Sequence, residues 1–235
     1  MRALNDPAVV AREYADEAGL SARIAAQAVS TGPDARQVVF EAVAEVEPSL
    51  VLEVGPGRGE LAERMARELD ARVIGVDQSE RMVALTQARG VEALVGDVHN
   101  LPFRDGIFDC AVAAWMLYHV PDLDRALLEL RRVLRPGGRF VAATNSEHTL
   151  RELWDLVVFA PGYAFSTENG EWPLLRHFTL VERREVRGTM TFPGWEAAHR
   201  YIGASIIAKH LADELPYFDG PLEATRHVTV FVCEP

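Results

Sequence analysis

The 235-residue chain holds two cysteines, Cys110 and Cys233, each inside an apolar run and without C-x-x-C spacing. That excludes a disulfide framework and the usual thiolate metal site, and it fits two buried thiols in a reducing compartment. Basic residues are outnumbered, 24 Lys and Arg against 35 Asp and Glu, for a net charge of −11. Nucleic-acid binding draws its affinity from cations against phosphates, so this balance argues against it. The arginine clusters at 131, 132 and 135 and at 183, 184 and 187 are interleaved with acids and apolar residues, and are expected to be solvated faces. No apolar stretch approaches the length of a membrane span. Charges at Arg2, Asp6, Arg12, Glu13, Asp16 and Glu17 leave no apolar core for a signal peptide. Internal repeats and low-complexity tracts are missing too. The expectation is a soluble cytoplasmic protein acting on a small molecule, with no membrane or nucleic-acid partner; nothing in the sequence sets its oligomeric state.

What is present is a glycine turn. An apolar strand, Leu50 to Val54, runs into Gly55-Pro56-Gly57-Arg58-Gly59, and a helix with Leu61, Met65 and Leu69 follows. Glycines there let the backbone take positive φ and let a ligand touch main-chain atoms. A second strand, Val73 to Val76, delivers Asp77 to its C-terminal end, where a carboxylate can accept from ribose hydroxyls. The dinucleotide fingerprint G-x-G-x-x-G is broken, because Glu60 occupies the third-glycine position. A Glu at the start of that helix repels a pyrophosphate. The chain also lacks a G-x-x-x-x-G-K-[ST] phosphate loop. A cationic, phosphate-free nucleoside fits better.

From Val51 to Asn145 the chain resembles the class I S-adenosylmethionine-dependent methyltransferases, of the small-molecule type that acts on ubiquinone and menaquinone precursors. The blocks that carry the resemblance stand in order: Glu53 to Gly59, Val76-Asp77-Gln78-Ser79, Val95-Gly96-Asp97-Val98, Phe108-Asp109 through Tyr118-His119, and Leu134-Arg135-Pro136-Gly137-Gly138. The family implies an α/β fold, Rossmann-like, with a seven-stranded mostly parallel sheet, an antiparallel edge hairpin, helices on both faces and an N-terminal helical lid.

Periodicity gives the organisation independently. Residues 1–47 read as helices, one begun by Asn5-Asp6-Pro7 and another by Thr31-Gly32-Pro33-Asp34. Strands at 50–54, 73–77, 92–96, 107–114 and 139–144 alternate with helices at 60–69, 80–89 and 122–134, which implies a parallel sheet covered on both faces. Asp122 is the expected N-cap of the last helix, and Pro136-Gly137-Gly138 its stop. Beyond 146 the expectation is a helix at 147–159, a loop to 170, a short helix at 168–175, a strand at 179–186, helical segments within 195–211 and a closing strand at 228–232. The chain is read as one domain, 1–235: a helical lid (1–47), a cofactor-binding core (48–146), and a sheet edge with a substrate-side insert (147–235).

By resemblance the cofactor is S-adenosylmethionine. Glu53, Gly55, Pro56 and Gly57 would hold its methionine part and Asp77 the ribose, with Gln78 and Met82 flanking the adenine. Gly96, Asp97 and Val98 would meet the adenine edge, and Ala114 and Trp115 would lie beside the reacting end. Tyr14 is a candidate lid over the cofactor, or else a core tyrosine. His119, just beyond the fourth core strand, is the candidate general base; the alternative is a ring that fixes the loop before Pro121. Asp77 and Asp97 carry their own alternative, that each caps a neighbouring turn. The remaining histidines considered, at 148, 177, 199, 210 and 227, show no metal or triad spacing, and no metal is expected.

Absences narrow the acceptor. Where amino-methylating DNA enzymes of the family carry [ND]-P-P-[YF], this chain has Ala113-Ala114-Trp115-Met116. The Pro-Cys of the cytosine enzymes is missing, and Thr144-Asn145-Ser146 lacks the acid of the metal-dependent catechol type. The expectation is metal-independent methylation of an O, N or C nucleophile on a small molecule. A non-catalytic cofactor-binding protein and a nucleotide-dependent oxidoreductase are the rival readings.

Overall fold

The computed structural model describes Asn5, residues 30–205 and residues 208–235. The helices expected within residues 1–29, and Tyr14 with them, lie outside the described residues. One sheet of eight strands organises the rest: β1 (Ser30–Thr31), β2 (Leu50–Val54), β3 (Arg72–Asp77), β4 (Glu92–Val95), β5 (Phe108–Ala114), β6 (Leu134–Asn145), β7 (Thr179–Phe192) and β8 (Leu222–Glu234). Their spatial order is β1-β7-β8-β6-β5-β2-β3-β4. Strands β2 to β6 pair parallel, and β8, β7 and β1 add antiparallel partners at one edge. The expected seven strands become eight because Ser30 and Thr31 pair with Met190 and Thr189.

The parallel strands are buried on both faces, so they are apolar at successive positions. Leu52, Val54, Ile74, Val76, Ala111 and Ala113 join one core cluster. Val51, Val73, Cys110 and Val112, one residue out of phase, join the other. The helices are α1 (Ala35–Ala44), α2 (Glu60–Glu68), α3 (Glu80–Ala88), α4 (Leu123–Val133), α5 (Arg151–Trp154), α6 (Glu171–Leu175) and α7 (Trp195–Gly203). Helix α4 buries Ala126, Leu127, Leu130 and Val133, a single stripe against the first cluster. Asp122 caps it, accepting from the Arg125 N–H at 3.1 Å.

Several boundaries differ from expectation. Helix α4 ends at Val133, and β6 begins at once and runs through Pro136-Gly137-Gly138, with a register shift opposite Phe108 and Cys110. The hairpin strands are far longer than 179–186 and 228–232, because β7 and β8 keep pairing from Thr179↔Glu234 to Phe192↔Leu222. The expected helix at 147–159 is reduced to α5 and a 3₁₀ turn, Asp155–Val157. The Ser146 hydroxyl accepts from the His148 N–H, and Leu150 and Val158 take positive φ of 57° and 49°. Side-chain capping of this sort competes with helix. Helix α7 likewise stops at Gly203, and a 3₁₀ segment, Lys209–Glu214, follows.

Chain direction reverses at β2: β3 and β4 are laid to one side of it, β5 and β6 to the other. Ligands of open α/β sheets bind outside the carboxyl ends of the strands at such a switch point. A third cluster, built by Trp154, Phe159, Phe192, Ala198 and Ile202 among others, stands at the hairpin side of that crevice.

Candidate active site

A cavity of about 340 Å³ opens at the switch point. Its floor is the glycine turn. Gly55, Gly57 and Gly59 take φ of 66°, 58° and 78°, the left-handed region that disfavours side chains. A Cβ on Gly55 would lie 2.8 Å from Met116 Cβ, and one on Gly59 2.9 Å from Thr86 Cα. At Gly57 a Cβ would meet nothing within 4 Å; there the backbone lies bare to the cavity. The turn is fastened by the Gly55 N–H donating to Val76 C=O at 2.8 Å and the Thr86 hydroxyl donating to Gly57 C=O at 3.2 Å.

Two acids stand near the ends of the flanking strands. Glu53, next to last in β2, is 2% exposed, and its Oε2 has no hydrogen-bond partner among the described residues. Burial, and next the nearby Asp77 charge, push its carboxyl up to about 8. Asp77 ends β3 and accepts from the Ser79 N–H at 2.9 Å. Burial raises its pKa too, against the lowering effect of hydrogen bonds from the Ser79, Gly57 and Gln78 amides. Asp77 therefore does hold a turn, and in doing so ties the glycine loop to the second strand.

Asp97 differs from both. Its side chain is 67% exposed, and one oxygen, Oδ1, takes the His99 N–H at 2.9 Å and the His99 ring Nδ1 at 2.6 Å. Its slight burial is outweighed by those bonds, so its pKa is lowered. His99, which the sequence reading passed over, lines the cavity with its Nε2 buried and without a partner among the described residues. Only spacing could have flagged it, as the residue that completes an Asp-x-His turn.

Pro56, Gln78, Gly96, Val98, Ala114, Trp115 and His119 also line the cavity. Met82 does not. It is 1% exposed and lies in the first turn of α3, where its N–H donates to the Ser79 hydroxyl at 3.4 Å. Trp115 adopts φ of 56°, with its N–H donating to Ala143 C=O at 2.8 Å. A bulky residue in that region is strained, and such strain gathers where loops are fixed for function. His119 ends a 3₁₀ turn, Leu117–His119, its ring 4.5 Å from that of Tyr118, which in turn stands 5.3 Å from Tyr163.

The far wall comes from residues 147–235. Trp154, Phe159, Pro161, Tyr163 and Tyr201 face the cavity. The loop that carries Phe159, Pro161 and Tyr163 is pinned to the end of β6, where the Thr144 hydroxyl donates to Phe165 C=O at 2.8 Å and the Thr167 N–H to Asn145 C=O at 3.1 Å; within the loop, the Asn169 side chain donates to Tyr163 C=O at 3.0 Å. These residues were not singled out from sequence, because no strand or helix period marks them. One end of the cavity is thus acidic and backbone-lined, the other aromatic. No group of three or more potential metal ligands occurs among the described residues. Cys110 and Cys233 are both buried, their thiols pushed by burial up to about 12.

Comparison with known proteins bears on what such a cavity holds. The methyltransferase-domain family profile matches residues 52–142. The demethylmenaquinone methyltransferase of Thermobifida fusca is 30% identical over 202 residues, covering 75% of this chain and 82% of that protein. The chain belongs to the class I S-adenosylmethionine-dependent methyltransferases. Its likeness to other members is more partial. The demethylmenaquinone methyltransferase of Thermotoga maritima is 38% identical over 109 residues, 45% of this chain and 48% of the relative, so this methyltransferase spans about half the length of that relative. A crystal structure of an S-adenosylmethionine-dependent methyltransferase from Thermotoga maritima superposes with a TM-score of 0.51 at 24% identity, over 85% of this chain and 90% of that one, and shows the shared fold. No helix among the described residues is long and apolar enough to cross a membrane.

Proposed function

We propose that this methyltransferase moves the methyl group of S-adenosylmethionine, by in-line displacement, to an O, N or C nucleophile of a ring-bearing small molecule. The observation that carries this reading is the polarity of the cavity, with the buried Glu53, the half-buried Asp77 and a bare glycine backbone at one end and an aromatic wall at the other. The residues fit the cofactor. Glu53 keeps an oxygen without a partner among the described residues, as a group awaiting a cation would, and Asp77 offers acceptors beside the Gly57 backbone. A pyrophosphate fits poorly, since Glu60 and Glu63 occupy the first turn of α2. Asp97 and His99 stand at the end of β4 as the adenine-side pair.

When bound, S-adenosylmethionine supplies an electrophilic methyl group on a positively charged sulfur. The chain's task is alignment, which carries much of the rate in such a displacement. Trp115 and Met116 fix the floor between the two ends; Tyr118, Phe159 and Tyr163 exclude water from the acceptor side. His119 stands at the boundary and accepts a proton where the acceptor nucleophile is protonated.

The test is transfer of tritiated methyl from S-adenosylmethionine to a panel of aromatic acceptors. Demethylmenaquinone, for which both curated relatives are named, belongs in that panel. Label in an acceptor supports the reading. Tight S-adenosylhomocysteine binding without transfer to any acceptor would instead favour a non-catalytic cofactor-binding protein.

A further inference from the structure

A side chamber of about 70 Å³ branches from the aromatic end, sharing Arg36, Asn145, Trp154 and Tyr163 with the main cavity and adding Arg226. Two arginines lining one small space stand out in a chain of net charge −11. The other arginines of the hairpin region are engaged by acids, Arg183 by Glu185 and Arg184 by Glu45 and Glu182. Among the described residues neither Arg36 nor Arg226 has a carboxylate partner, and the buried Arg226 Nε has no hydrogen-bond partner. Asp34 lines the chamber as well, but its side chain accepts the Arg36 N–H at 2.9 Å as the N-cap of α1. The balance in the chamber is two cations to one occupied anion.

The fold sets these groups deliberately. On β7, Gly188 faces Arg226, and a Cβ there would lie 2.1 Å from Thr31 C=O, so only glycine lets β1 lie against the hairpin. With β1 in place, Pro33 C=O accepts from Arg226 Nη2 at 2.6 Å, which fixes the fork and leaves Nε without an acceptor among the described residues. A buried guanidinium nitrogen without an acceptor is costly, and a planar two-oxygen anion matches its fork. Asn145, at the end of β6, brings a side-chain amide to the same space.

We infer that the acceptor carries a carboxylate, held by Arg36 and Arg226 while its ring lies against Trp154 and Tyr163. This rests on the proposed methyl transfer and names the acceptor class for it. The chamber holds a group of carboxylate size and no second ring.

The experiment titrates the protein, saturated with S-adenosylhomocysteine, with benzoate, 4-hydroxybenzoate and 2-naphthoate and with the primary amide of each, reading tryptophan fluorescence. At least one acid binds tenfold or more tighter than its amide. The preference falls below threefold in Arg226→Gln and in Arg36→Gln, while affinity for S-adenosylhomocysteine stays within twofold. Arg36→Gln guards against misfolding of the first variant, since among the described residues the Arg36 side chain makes no hydrogen bond or ion pair to another element. Acid-to-amide ratios near one throughout the panel overturn the inference. So does a loss of S-adenosylhomocysteine affinity matching the loss of acid affinity, which would assign the guanidiniums to the cofactor. Failure of wild-type protein to bind S-adenosylhomocysteine, with the acid preference intact, sinks the methyl-transfer reading and leaves the anion site standing.

Discussion

Glu53 is a carboxyl group held where water does not reach, beside a second acid, and its folded pKa of about 8 stands well above the ordinary 4.5. The folded state therefore binds a proton that the unfolded state gives up, and stability falls as pH rises from about 4.5 to about 8. Against a neutral isostere this cost reaches a few kcal/mol at the upper end of the window. Glu53→Gln is expected to exceed wild type in unfolding free energy by an amount that grows between pH 5 and 8 in denaturant titrations; a pH-independent difference would contradict the assignment. A cationic ligand group beside Glu53 reverses its preference, so S-adenosylhomocysteine binding at pH 7 should release up to one proton, read by calorimetry in buffers of differing ionisation enthalpy. Asp77 carries a larger stake under the proposed ribose contact, because two hydroxyls on one carboxylate would make charge-assisted bonds of about 1.5–3 kcal/mol each. Asp77→Ala should lower S-adenosylhomocysteine affinity by roughly a hundredfold or more. Unchanged affinity by calorimetry refutes the ribose contact. His119→Ala should cut turnover about a hundredfold, the lower range for general-base catalysis, with little effect on cofactor affinity. Wild-type turnover returns His119 to a purely structural role.

At the scale of elements, the loop from Phe159 to Gly170 decides the acceptor end, and it holds its shape by hydrogen bonds to the end of β6. Glu168 is central to it, accepting from the Ser146 hydroxyl and from the Glu147 N–H at 2.9 Å. Those bonds outweigh its partial burial and hold its pKa below the usual range. Glu168→Ala should destabilise the protein by about 1–3 kcal/mol and raise acceptor KM several-fold, leaving S-adenosylhomocysteine affinity unchanged. An equal loss at both ends of the cavity would mean the loop supports the whole crevice instead. This loop also shows where the sequence was opaque. The glycine turn and Asp77 were readable because a positive-φ turn between a buried strand and an amphipathic helix is a local event with few residue choices. Glu168, Tyr163 and Tyr201 work through contacts between distant segments, and no period in the chain announces them. Met82 came from the resemblance alone; it lies buried in the first turn of α3, whose Ser79 cap accepts from its backbone N–H. The N-terminal half of the chamber was hidden likewise, since two residues of β1 bind across the sheet to a partner far along the chain.

For the whole molecule, the switch in strand order at β2 is the decisive feature, because it sets an acidic crevice and an aromatic one side by side in a single cavity. The arginine clusters are drawn into that architecture: Arg132 links Glu129 and Asp105 to the carbonyls of Leu101 and Phe103, and Arg135 pairs with Asp109, whose other oxygen takes the amides of Ser49 and Leu50. Ligand binding at the crevice therefore reports on the integrity of the sheet. At a hundredfold excess over its Kd, a ligand that binds only the folded state adds about 2.7 kcal/mol. For a chain of this size that is a rise of roughly 5–10 °C in Tm. S-adenosylhomocysteine should produce it and NADH at the same concentration should not, since Glu60, which lines the crevice at the start of α2, meets the pyrophosphate with like charge. A scan in which NADH stabilises the protein and S-adenosylhomocysteine does not would turn the cavity into a dinucleotide site, against the polarity of every acid that lines it.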